Sequence, residues 1–166
     1  MRLAGVPSRD KLLIVILVLL VASLIGIGAL TLGTVDRYFE TARSVRGLEI
    51  SIGDVRWDPQ SRRLEMEIVA TNGGGLDIFL DDIRFSVYID GVYVATNTDT
   101  RMGKLLDPTE TATFTYAFTL RPFFADEIDR GLDEGDGTWG IRGVVWVDVD
   151  GLRSDIPVAA RKDGGR

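Results

Sequence analysis

The chain has 166 residues, 45% of them hydrophobic, with 19 basic and 25 acidic side chains and a net charge of −6. It has neither cysteine nor histidine, which excludes disulfides, Ser-His-Asp and Cys-His catalysis, and zinc sites of the usual ligand types. No basic run or patch occurs, which argues against nucleic acid as a partner and against docking on anionic lipid headgroups.

Met1–Lys11 is a short polar tail. From Leu12 to Val35 no charged residue occurs, and at about 1.5 Å per helical residue this stretch spans roughly 36 Å, enough to cross a bilayer with some tilt. It is longer than the apolar region of a secretory signal and lacks a convincing Ala-x-Ala site, so an uncleaved single-pass anchor is expected. Arg2, Arg9 and Lys11 before the helix balance Arg37, Arg43 and Arg46 after it, leaving orientation to other features. A short leading tail and a long following domain favour an extracytoplasmic domain on the cell membrane. Ala22, Gly26, Ala29 and Gly33 fall on one helix face, a candidate seam for self-association through the membrane helix. The frequency of Gly and Ala in membrane helices explains the same pattern more simply.

Residues 36–47 read as a juxtamembrane linker, polar and of mixed charge. Beyond Arg46 the period becomes two. Leu48, Ile50, Ile52, Val55 and Trp57 form a first strand with a bulge expected at Gly53. Asp58-Pro59-Gln60-Ser61 is a turn, and Leu64, Met66, Ile68 and Ala70 mark a second strand. Asn72-Gly73-Gly74-Gly75 then breaks the pattern and reads as a flexible loop. Phe85, Val87 and Ile89 lead through Asp90-Gly91 to Val92–Thr96, a hairpin signal. Asp107-Pro108 turns into a Thr-rich strand carrying Ala112, Phe114, Tyr116, Phe118 and Leu120. Phe123, Phe124, Ile128 and Leu132 are helically spaced and stop at Gly135 and Gly137. Ile141, Val145 and Val147, a second Asp-Gly pair at 150–151, and Leu152, Ile156 and Val158 complete the domain, with Arg161–Arg166 a frayed tail. The fold class is therefore mainly β: an immunoglobulin- or fibronectin-like antiparallel sandwich over 48–160, of about seven strands with one short helix, preceded by one transmembrane α-helix.

The order of these landmarks resembles the type 2 late-embryogenesis-abundant family, also called the water-stress and hypersensitive-response domain. The matching places are Val69-Ala70-Thr71-Asn72, then Val87-Tyr88-Ile89-Asp90-Gly91-Val92, then Leu106-Asp107-Pro108-Thr109-Glu110-Thr111. The closing places are Trp139-Gly140-Ile141-Arg142-Gly143-Val144 and Asp155-Ile156-Pro157-Val158. The resemblance covers Leu48–Ala160, with Asn72-Gly73 standing where the family usually has Asn-Pro. It implies a fibronectin-like sandwich, often behind one membrane anchor, with a stress-tolerance role and no catalytic residues.

Without His and Cys, only carboxylate chemistry survives. Asp126, Glu127, Asp129, Asp133, Glu134 and Asp136 form the densest acidic group, but their spacing does not fit a calcium loop, and a solvated helix face is the simpler reading. Asp148 and Asp150 share a strand face, where turn and solvent preferences explain both. Gly73–Gly75 lacks the Lys-Ser/Thr of a phosphate cradle. Tyr88 and Trp146 sit on the polar phase of their strands and are the candidate partner-facing aromatics. No metal, cofactor or catalytic residue is expected. The function expected is a non-enzymatic, membrane-anchored sandwich protective in desiccation or osmotic stress; the alternative is an accessory interaction module of a membrane or envelope complex.

Overall fold

The computed structural model describes residues 9–133 and 137–163, and for residues 9–15, 127 and 131–133 the backbone alone. It separates into two compact units, one ending at Phe39 and one beginning at Glu40. A single helix, α1 (Arg9–Arg46), passes from one into the other. It runs through the whole segment read as a linker and stops where the Gly47 N–H bonds the Arg43 and Ser44 carbonyls at 2.9 and 3.0 Å. Arg43 and Arg46 in the last turn suit the negative end of the helix dipole.

In the first unit every described side chain from Ile16 to Phe39 is exposed. The hydroxyls of Thr31 and Thr34 donate to the carbonyls four residues back at 2.8 and 2.9 Å, and Ser23 does the same to Leu19. The serine and threonine hydroxyls of the apolar stretch from Leu12 to Val35 are thus all bonded within the helix.

The second unit is a β-sandwich. Its strands are β1 (Leu48–Asp58), β2 (Arg63–Asn72), β3 (Ile78–Ile89), β4 (Val92–Thr96), β5 (Arg101–Leu106), β6 (Thr111–Thr119), β7 (Thr138–Val149) and β8 (Leu152–Asp163), with helix α2 (Pro122–Asp133) between β6 and β7. One sheet has the order β1-β2-β6; the other has β4-β3-β7-β8, with β5 continuing the β4 side of β3. Among the described residues the strands pair antiparallel. Alternation puts Leu64, Met66 and Ile68 of β2 against Ile83, Phe85 and Val87 of β3 and Val145 and Val147 of β7, all at most 1% exposed. Burial of each such side chain contributes roughly 1.5–3 kcal/mol. Phe85 bridges the sheets edge-to-face with Tyr116 and Phe118, at centroid distances of 5.1 and 6.1 Å.

Both Asp-Gly hairpins form with positive φ at each residue: 48° and 84° at Asp90-Gly91, 56° and 80° at Asp150-Gly151. The β1 register shifts between Ile52 and Val55, the bulge that Gly53 signalled. There Lys162 of β8 donates to the Gly53 carbonyl and pairs with Asp54 at 3.7 Å, closing that side of the sandwich.

Among the described residues eight strands are present where about seven were expected. The added one, β5, hides its period because Gly103 adopts φ +57° and Leu106 is its one buried residue. β3 begins at Ile78 rather than near Phe85, since an irregularity between Leu80 and Asp82 turns two consecutive aspartates outward and reverses the phase. β8 extends to Asp163, with Arg161 opposite Gly140, so the strand includes residues expected to fray. In α2, Ala125 and Ile128 are buried and Phe123 is 66% exposed, so Phe123 is not part of the apolar face the spacing suggested.

Candidate functional site

The outer face of the five-stranded sheet carries both candidate aromatics. Tyr88 lies opposite Gly140 and Trp146 opposite Asp82, so six strand positions, roughly 20 Å, separate them. They share a face but not a site. Each is half-buried beneath a guanidinium: Arg142 stands 5.5 Å from the Tyr88 ring centroid and Arg84 5.9 Å from that of Trp146. Each also lines its own groove. Trp146 lies with Phe79, Asp82, Asp148, Arg84 and Arg153 beside about 710 Å³, and Tyr88 with Asp90, Arg142 and Arg161 beside about 570 Å³. Tyr88 also begins an edge-to-face chain through Tyr93 and Phe124 to Phe123, with centroid spacings of 6.1, 5.8 and 5.5 Å. Strand phase pointed to Tyr88; strand pairing and α2 supply the rest.

The acidic group on α2 has a structural use. Asp129 accepts a 2.7 Å hydrogen bond from the Trp57 indole N–H and ties α2 to β1. Glu134 and Asp136, and the side chains of Glu127 and Asp133, lie outside the described residues. Among the described residues no group of three or more carboxylates is placed to hold a metal ion. Asp148 accepts the Gly151 N–H at 2.8 Å, so its carboxylate fixes the hairpin. Asp58 does the same for its turn, accepting from Ser61 Oγ at 2.6 Å and Gln60 N–H at 3.0 Å; these bonds, that from the Ser61 hydroxyl foremost, hold its carboxyl below the usual range. Glu110 is lowered by Lys104, 2.9 Å away, and by the Asp107 N–H. Tyr116 moves the other way. Burial first, then the charges of Asp99 and Asp82, push its phenol up to about 12, and its hydroxyl has no hydrogen-bond partner.

The triple-glycine segment, read as a flexible loop, is hydrogen-bonded and packed. It is a close-packed joint between the last turn of α1 and the β2–β3 connection. The fully buried Asn72 accepts the Gly74 N–H at 2.9 Å and donates to the carbonyls of Leu76 and Leu106 at 2.9 and 3.0 Å. Ser44 Oγ accepts from Gly75 and Leu76 at 3.2 and 3.1 Å. A Cβ on Gly74 would stand 2.5 Å from Ser44 Cα. The Gly73 N–H donates to the Gly47 carbonyl at 2.8 Å. A proline at 73 would lack that donor, so the Gly47–Gly73 bond disfavours proline here. A second buried amide, Asn97, does similar work where β4 passes into β5: it accepts from Phe85 at 2.7 Å and donates to Ile83 and Asp99 at 2.8 Å each. Nothing in the local sequence distinguishes Asn97 from a solvent-facing loop residue.

The possible association seam lies in the first unit. Ala22 and Ala29 are exposed, and a Cβ on Gly26 or Gly33 would meet nothing within 4 Å.

The second unit is thus an antiparallel β-sandwich module with a filled core, following one helix long and apolar enough to cross a membrane. No family model matches the sequence, and no curated protein is similar to it. Among solved structures it is similar to the Arabidopsis thaliana protein AT1g01470, with a TM-score of 0.50 and 13% identity over 71% of this chain and 78% of that one. It is also similar to a protein from Archaeoglobus fulgidus (TM-score 0.46, 13% identity, 72% and 94% covered). A candidate late embryogenesis abundant (LEA) protein, At2g46140.1, matches at TM-score 0.45 and 12% identity, with 86% and 83% covered. At 13% identity the likeness to AT1g01470 is one of fold.

Proposed function

We propose that this chain is a single-pass membrane protein whose sandwich domain, held outside the cytoplasm, is a non-enzymatic module of the late-embryogenesis-abundant type 2 kind, protective during desiccation or osmotic stress. The observation that carries the anchor is the uncovered apolar helix. Its large side chains from Ile16 to Leu32 are 47% to 75% exposed, its mean hydropathy is 2.5, and none of that window is buried. Covering each such side chain is worth roughly 1.5–3 kcal/mol, and the described residues supply no cover, so lipid is the natural solvent. The internally bonded hydroxyls of Ser23, Thr31 and Thr34 suit that solvent as well.

The stress role rests on the ordered motifs around Asn72, Pro108 and Pro157 and draws support from the filled sandwich. An acidic, well-hydrated domain beside a bilayer would limit membrane contact as water is withdrawn. Two experiments test the proposal. Carbonate extraction with mass determination of the mature N-terminus asks whether the helix is retained; a soluble chain starting beyond Val35 refutes the anchor. Survival of a deletion strain after drying, rescued by the full chain or by Glu40–Arg166, tests the role. Residues 40–46 belong in the rescue because Ser44 and Gly47 hold the Asn72 joint. A deletion without phenotype refutes stress protection. The accessory-module reading draws support from a free strand edge on the sandwich.

A further inference from the structure

Strands at the margins of sheets are blunted in this domain, with one exception. β1 is interrupted by its bulge, carries Asp54 and Arg56, and is crossed by Lys162. β8 carries Arg153, Pro157, Arg161 and Lys162. β4 has five residues and an irregular register with β3, and β5 carries Arg101, Lys104 and the positive-φ Gly103. Charge, proline, bulges and shortness are the means by which folded proteins keep strand edges from pairing with other chains.

β6 has none of them. Thr-Ala-Thr-Phe-Thr-Tyr-Ala-Phe-Thr at 111–119 is uncharged, has no proline or glycine, and pairs with β2 over nine residues without a register shift. It ends the order β1-β2-β6. The Asn72 N–H bonds the Glu110 carbonyl and the Leu120 N–H bonds the Arg62 carbonyl, so even-numbered residues face β2. By antiparallel alternation, the odd-numbered Thr111, Thr113, Thr115, Ala117 and Thr119 turn their N–H and C=O groups to the other edge. The side chains of these five residues are exposed. A groove of about 630 Å³ runs beside the second half of the strand, between Ala117–Arg121 and Tyr93–Thr96.

We infer that β6 is a strand-addition edge, and that its occupant is β6 of a second copy of this chain. Reversal of the strand about Thr115 preserves its alternation of an apolar face and a threonine-rich face, with Thr111 and Thr119 exchanging as identical residues. Antiparallel pairing about that residue sets Thr111 against Thr119, Ala112 against Phe118, Thr113 against Ala117 and Phe114 against Tyr116. No like charges meet, and apolar side chains stay on one face while threonines line the other. The Thr71–Thr111 hydroxyl contact at 3.0 Å shows the same threonine pairing across β2 and β6. The product is one six-stranded sheet, β1-β2-β6-β6-β2-β1, with two-fold symmetry. β6 runs parallel to β1, so the pairing puts the two Glu40–Arg46 turns at opposite ends of the joined sheet. This inference stands apart from any stress role.

The test uses the full-length chain, purified in detergent, which has no cysteine of its own. Thr115→Cys places a thiol on the two-fold axis, where antiparallel Cα atoms are about 5.5 Å apart, within disulfide range. Oxidation is expected to give a disulfide-linked dimer, while Ser51→Cys on the outer face of β1 stays monomeric. Adding Thr113→Lys and Ala117→Lys, which oppose like charges across the axis, is expected to reduce the cross-link at least tenfold, with tryptophan fluorescence confirming the fold. The inference is overturned if Thr115→Cys links no more than Ser51→Cys, or if the paired lysines leave the link unchanged. It is equally overturned if Gly26→Leu with Gly33→Leu abolishes the link, which would assign association to the helix seam.

Discussion

Asn72→Ala is the most informative single perturbation of the sandwich. Asn72 is fully buried and its side chain makes three hydrogen bonds of 2.9, 2.9 and 3.0 Å to Gly74, Leu76 and Leu106. These join the end of β2, the glycine joint and the end of β5. Truncation leaves one N–H and two carbonyls without those partners. A net contribution of about 1 kcal/mol per bond, with some added penalty for stranded groups, gives a loss of about 3–4 kcal/mol. For a unit of this size 1 kcal/mol moves the melting midpoint by about 3–4 °C, so a fall of roughly 10–15 °C is expected. Trp57, Trp139 and Trp146 all lie in the sandwich, so intrinsic fluorescence of the full-length protein in detergent follows that unit specifically. Asn72→Asp is expected to be no better, because it keeps the acceptor for Gly74 but aims a second acceptor at two carbonyls. A fall below about 3 °C for Asn72→Ala, less than one hydrogen bond's worth, would refute the account of this joint.

Gly74→Ala is expected to cost about 2–3 kcal/mol, because its Cβ meets Ser44 backbone at 2.5 Å, whereas Gly75→Ala, with nothing within 4 Å, is near neutral; urea midpoints of the pair check this. Asp129→Leu is expected to lose about 1.5 kcal/mol with the Trp57 bond, while Asp129→Asn retains most of it; equilibrium unfolding separates them. Tyr116→Phe removes a hydroxyl without a partner and is expected to stabilise by about 1 kcal/mol at neutral pH. Because burial pushes the folded phenol up to about 12 against 10.0 for the free group, wild-type stability is unaffected by this group's ionisation below pH 10 and falls as pH rises from 10 towards 12, whereas the variant has no phenol to ionise. Melting midpoints of wild type and Tyr116→Phe should therefore draw further apart over that window, the variant remaining the more stable.

Much of this protein is legible in the sequence because the relevant forces act over a few residues. An unbroken apolar run from Leu12 to Val35 marks a helix that no described part of the chain covers. Strict alternation marks β2 and β6, where regular pairing on one buried face demands it. Asp-Gly marks both hairpins because their turns require positive φ. What the sequence concealed depends on residues distant from one another. β5 and the start of β3 escaped because Gly103 and the outward Asp81-Asp82 pair break the two-residue period while pairing with neighbouring strands holds the backbone extended. The glycines at 73–75 read as flexible because their conformational freedom is local, whereas the close approach of Ser44 and Gly47 that requires Gly73 and Gly74 arises only once α1 meets β2. Asp129 read as solvated until Trp57 was brought beside it. Tyr88 and Trp146 kept the outward phase their strands gave them, but only the register of β3 with β7 set them roughly 20 Å apart, each beneath its own arginine.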